Sequence, residues 1–206
     1  MPGNAKLSPT VFLFLSVLCG CASTLDLGYR PEQNAKTPLS TIAPVTIRLQ
    51  VDDNRAVEDR NLLGSKTKGS SIFSAPILSK TEPPLVLNDA LKAELMNNGH
   101  TVIDPPGASS DVVLIVALER YWIDMIPHFW DVEVIGILNT ELQFRDPKND
   151  SILLTRPHNS TQRESRMIST EGTLQSVLDR TLVEYIRSFS RDPNILEALK
   201  KAGKHH

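Results

Sequence analysis

Cysteine is nearly absent. The chain has two in 206 residues, Cys19 and Cys21, both inside "LSVLCGCAS". A metal or redox pair needs further ligands or a folded electropositive setting, and an apolar flank supplies neither. The rest of the chain has no disulfide available, so its core must hold by packing alone. Aromatic residues make up 5% of the chain, so any clustering of them is informative. Basic residues are not in excess: 22 Lys and Arg stand against 24 Asp and Glu. That balance leaves no electrostatic footprint for nucleic acid or for anionic lipid. No apolar run reaches the ~20 residues of a membrane-spanning helix. Chemical signatures are also missing. The five histidines show no H-E-x-x-H spacing, no G-x-S-x-G occurs, and "GSKTKG" lacks the spacing of a phosphate loop. The pattern predicts a non-enzymatic protein with no cofactor and no metal site, a hydrolase being the last of the alternatives.

The N-terminus carries what the rest withholds. "MPGNAKLSPT" is polar with Lys6 as its charge, and Val11 to Leu18 is apolar. A run of about eight residues fits the apolar region of a secretory signal. "LCGC", Leu18 to Cys21, resembles a bacterial lipobox: Leu at −3, small Gly20 at −1, Cys at +1. Reading Cys19 as +1 puts Leu18 at −1, a poor fit. The resemblance implies diacylglycerol on the Cys21 thiol and an acyl chain on its freed amine. Each buried methylene contributes roughly 0.8 kcal/mol, so more than one chain makes a stable anchor. A plain secretory signal is the alternative. Ala22 and Ser23 follow the cysteine, with no Asp, which in enteric-type sorting implies the outer membrane. The expected organisation is a signal over 1–20, an acylated Cys and flexible tether over 21–43, one periplasmic domain over 44–202, and a disordered tail over 203–206.

Within the domain, "VTIRLQVDD" alternates as a strand, with Val45, Ile47, Leu49 and Val51 on one face. The stretch "DNRAVEDRNLLGSKTKGSS" reads as a long polar loop, and "SIFSAPILS" as a short strand. Pro83-Pro84 opens a helix over about 84–98 that Gly99 closes. "HTVID" is a brief strand. Three alternating segments from Asp111 to Met167 predict a long antiparallel meander, with Trp130, Val132, Val134, Leu138, Leu142 and Phe144 on one face. "TLQSVLDRTLVEYIRSF" repeats apolar residues from Leu174 to Phe189 at helical spacing. Asp192-Pro193 starts a last short helix. Both long helices carry one apolar stripe. The fold class predicted is α/β (α+β): a two-layer sandwich, its mixed sheet covered on one face by two helices.

The strand ending in "VDDNR", then "LLGSKTKG", "ELMNNGHTV", the meander, "EGTLQSVLDRTLVEYI" and "DPNILEALKK" follow in an order that resembles the YajG-type lipoproteins over most of 44–202. The resemblance implies an envelope address and a fold, and supplies no catalytic residues. The role expected from the sequence as a whole is a non-enzymatic accessory or adaptor subunit of an envelope assembly, with the membrane met through the lipid anchor and an envelope protein as partner. A carrier or sensor for a small apolar or glycan ligand is the alternative.

Two places merit attention as contact sites. Asp53, Asn54 and Arg55 end the first strand and form either a structural turn or a ligand contact. "YWIDMIPHFWD" holds both tryptophans of the chain. Trp122, Ile126, Phe129 and Trp130 crowd around Pro127-His128, where strand pairing should stop. They make a satellite core, a partner-binding patch, or a point dipping into membrane. No basic residues flank the tip to hold it at anionic lipid.

Overall fold

In the computed structural model, residues 22–31, 35–67, 74–103 and 109–205 are described. Cys19 and Cys21 lie outside them. The elements run β1 (Ser23–Leu25), β2 (Thr46–Asp53), β3 (Leu62–Thr67), β4 (Ser74–Ser79), α1 (Pro83–Asn97), β5 (Thr101–Ile103), β6 (Val112–Pro127), β7 (Val132–Arg145), β8 (Ile152–Arg166), α2 (Glu171–Arg191) and α3 (Pro193–Ala202). All eight strands join one open mixed sheet, with the helices packed on it.

β6 is the spine. One edge pairs antiparallel with β7 along its whole length, and β7 pairs likewise with β8. The other edge is shared: β2 runs parallel to the first half of β6, and β3 meets it at Gly64–Ile123. β5 then flanks β2, while β4 and β1 flank β3. Strand alternation, reset by a bulge between Leu118 and Arg120, sends Leu114, Val116, Leu118, Tyr121 and Ile123 of β6 into the core. Leu138, Leu142 and Phe144 of β7 join them. The meander and the one-face covering are as the alternation predicts.

The helices explain their own limits. α2 starts at Thr170, whose side chain accepts from the Thr173 N–H at 3.3 Å. Its stripe, Leu174, Val177, Leu178, Leu182, Tyr185, Ile186 and Phe189, is buried. Asp192 caps α3 by accepting from the Asn194 N–H at 2.9 Å. Gly99 follows α1 with φ 94°, the left-handed conformation that lets the chain turn into β5. At Gly136 the sheet lies very close to α2. A Cβ there would sit 2.4 Å from Thr181 Oγ1 and 3.0 Å from Val177 Cγ1.

Three expectations need correction. The segment expected as a tether, part of which could lie along the domain, lies on it wherever 22–43 is described: β1 pairs with β4, and Leu25, Leu27, Leu39 and Ile42 are buried. Four apolar side chains in a polar stretch were enough to bind it down. The long loop after β2 contains β3, with Leu63 buried and an antiparallel ladder to β4. A bulge at Leu62/Gly64 breaks the alternation that would have betrayed it. The tail is ordered through a 3-10 turn over Gly203–His205, and Ala202 is buried just before it.

Candidate functional site

β6 ends at Pro127 and β7 begins at Val132. The His128 N–H donates to the Asp131 carbonyl at 2.8 Å, which leaves Phe129 and Trp130 at the turn itself. Tight hairpin turns favour Asn-Gly pairs with positive φ. Among the described residues the one non-glycine with positive φ is Asp150, so neither aromatic adopts that conformation. Phe129 is 87% exposed and Trp130 78% exposed. Their rings meet edge to face at 4.6 Å. The tip therefore departs from ordinary turn chemistry and from ordinary burial at once.

Ile126 adds 41% exposure beside the pair. Val132 lies opposite Arg166 in the ladder, so Met167 and Ile168, exposed 82% and 76%, leave β8 at the same end of the sheet. The apolar pair inside polar "SRMIST" is the sequence signal for them. Two ion pairs lie beside them: Arg163 with Glu133 at 3.2 Å and Arg166 with Glu164 at 2.5 Å. Trp122 does not belong to this group. It lies half-buried on the helix-free face, with Nε1 donating to Asp124 Oδ1 at 2.9 Å. Trp130 is likewise off the face assigned to it, because the strand starts only at Val132. The exposure of Phe129 and Trp130 excludes a satellite core at the tip.

Asp53, Asn54 and Arg55 are held within the domain. Arg55 is buried, and its guanidinium donates to both Asp53 carboxylate oxygens at 2.8 and 2.9 Å. It also donates to the Leu62 carbonyl at 3.0 Å and the Arg60 carbonyl at 2.6 Å. One side chain thus ties the end of β2 to the start of β3. The hydrogen bonds from Arg55 hold the Asp53 carboxyl below its usual range. The Asn54 N–H donates to the Leu118 carbonyl at 2.9 Å.

A second polar group lies under α2. His158 Nε2 is 3.2 Å from the Tyr185 carbonyl and 3.0 Å from Ser188 Oγ. Thr140 Oγ1 and Tyr185 Oη are 2.8 Å apart. Burial holds the His158 imidazole below its usual range and pushes the Tyr185 phenol up. Ser188 donates its proton to the Tyr185 carbonyl at 2.9 Å. His158, Thr140 and Tyr185 are all buried, so the cluster reads as a polar tie between β7, β8 and α2. Between sheet and helices the space is filled by fully buried Leu114, Leu138, Leu178 and Leu182. Clefts of about 340 and 300 Å³ lie instead at the surface, lined by charged side chains such as Arg48 and Arg145 or Arg187 and Arg191. Among the described residues no cluster of metal-binding side chains occurs and no helix is long and apolar enough to cross a membrane.

No protein-family model matches the chain, and neither does any curated protein sequence. Solved structures do. Protein XCC0632 from Xanthomonas campestris, of the family DUF330, superposes with a TM-score of 0.58 at 8% identity, over 90% of this chain and 98% of that one. The two share a fold. Lipoprotein GNA1162 from Neisseria meningitidis gives 0.36 at 12% identity, over 68% and 97% of the two chains. A minor lipoprotein from Acinetobacter baumannii gives 0.38 at 16% identity, over 70% and 91%.

Proposed function

We propose that this chain is a lipid-anchored accessory protein of the bacterial envelope. Cys21 holds it at the outer membrane, and it works by contact with an envelope assembly. The observation that supports the envelope address is the hairpin tip, where Phe129 and Trp130 stand in water at 87% and 78% exposure; contact with the assembly falls to the rest of the surface. Exposed clustered aromatics mark contact surfaces. The lipobox-like "LCGC" supplies the anchor. The shared fold with XCC0632 supports the architecture alone.

The test has two arms. Cys21→Ser should abolish labelling by palmitate, whereas Cys19→Ser should leave it intact. The acylated chain, purified from solubilised membranes, should bring down one envelope protein in fixed ratio. Labelled Cys21→Ser protein, or a chain that always purifies alone, overturns the reading.

A further inference from the structure

Backbone register relates the lipid anchor to the aromatic tip. Ser23 pairs with Ile77, Ile77 with Gly64, Gly64 with Ile123, Ile123 with Gly136, and Gly136 with Gln162. These residues form one row across the sheet. Pro127 and Arg166 each stand about four residues beyond that row, on one side of it, or roughly 13 Å at the rise of a strand. β1 is parallel to β4, which is antiparallel to β3, which is parallel to β6. Traced backward from Ser23, the chain therefore leaves β1 toward the tip side. Twist of about 20–25° per strand turns that direction by roughly 60–75° over the steps from β6 to β1, which keeps it on that side. Cys21 precedes Ser23 by two residues, a reach of about 7 Å. The intervening strands span about 14 Å.

We infer that the tip formed by Ile126, Phe129 and Trp130, with Met167 and Ile168 beside it, docks into the interfacial layer of the same leaflet that receives the Cys21 acyl chains. The inference rests on the anchor reading above. Two facts select lipid as the occupant. The anchor leaves the sheet on the tip's side and within a few tens of ångströms of it, so an acylated chain spends its time with the tip at the bilayer surface. Beside the tip Arg163 pairs with Glu133 and Arg166 with Glu164, so among the described residues Asp131 is the one carboxylate of the turn outside an ion pair, and the surface presented is mainly apolar and aromatic. Trp and Phe suit the headgroup boundary. Basic residues are needed there only when electrostatics must bring a protein to the membrane, and here the acyl chains do that.

The experiment uses the full acylated chain in phosphatidylcholine vesicles, some carrying bromine near the top of the acyl chains. Trp122→Phe leaves Trp130 as the one tryptophan. On reconstitution its emission should move to shorter wavelength and be strongly quenched by the brominated lipid. Wild type minus Trp130→Phe gives the same signal without altering Trp122. Trp122 alone should not be quenched. Intact mass reports acylation separately, so failure of the anchor reading is distinguishable. In that case the Cys21→Ser chain still reads the tip, with quenching that rises with lipid and falls several-fold in Phe129→Ser. The binding should be insensitive to salt. Water-like, unquenched Trp130 emission in both the acylated and the Cys21→Ser chain overturns the proposal. So does protection of Trp130 only after solubilised envelope proteins are added, which assigns the tip to a protein partner.

Discussion

Arg55 is a basic side chain where water barely reaches, and the hydrogen bonds of its guanidinium account for that. Truncation would leave the Asp53 carboxylate and two backbone carbonyls without their donor. Breaking a buried pair from one side typically costs about 3–5 kcal/mol, and the partly exposed Asp53 carboxylate brings this pair to the low end of that range. Arg55→Ala should lower stability by that order in urea unfolding. Arg55→Lys should restore only part of it, because an ammonium lacks the planar fork that serves two oxygens and two carbonyls together. An unchanged midpoint in Arg55→Ala would show that the tie is dispensable. Little of this was legible beforehand. "VDDNR" suggested a charged turn, and nothing in the spacing told that Arg55 reaches forward to Leu62 rather than outward. Gly136 is a similar case: a glycine in a strand suggests close approach, and only the structure supplies Val177 and Thr181 as what approaches.

Among the elements, α2 and β3 stand at opposite ends of legibility. The α2 stripe recurs at helical spacing for more than four turns, and each predicted residue from Leu174 to Phe189 is buried. Leu178→Ala and Leu182→Ala should each cost about 2–5 kcal/mol, the range for buried leucines that leave a cavity. Thermal melts that match wild type for both would place the helix at the periphery. β3 has six residues, a bulge and Gly64, so neither alternation nor propensity rises above its polar surroundings. β1 is shorter still. The hairpin tip is an intermediate case. The crowding of aromatics was visible, whereas their exposure depends on how far β6 and β7 run past α2, which no local pattern encodes.

For the whole molecule, two buried imidazoles weaken the fold in acid, while Asp179, whose carboxyl burial pushes up, acts in the opposite direction at lower pH. Burial holds His100 and His158 below the ordinary value of 6.5. His100 Nδ1 accepts from the Val45 N–H at 3.4 Å, a bond that protonation removes. Asp192 and Arg156 act on His158 in opposite directions and partly offset. Folded pKa values below the unfolded ones mean that the unfolded chain takes up protons first. Stability should be constant above about pH 7 and fall as pH drops through 6.5 toward the lower folded values. Asp53, also lowered from 3.8, adds a further loss in stronger acid. Urea midpoints across pH 4 to 8 check this, and His158→Gln should flatten the upper part of the profile. A midpoint independent of pH between 7 and 5 would contradict it. Order of assembly follows from a different feature. The Asp26 N–H donates to Gln175 Oε1, and Gln175 Nε2 to the Asp26 carbonyl, both at 2.9 Å, across 149 positions of sequence. A loop of that length closes late, after its partner helix exists. The β1–β4 ladder can hold this stretch earlier, but its tie to Gln175 forms only once α2 has been made and docked, so a chain truncated before Gln175 would keep the ladder and lose the tie. In pulse-labelled hydrogen exchange, the Asp26 amide should be among the last to become protected.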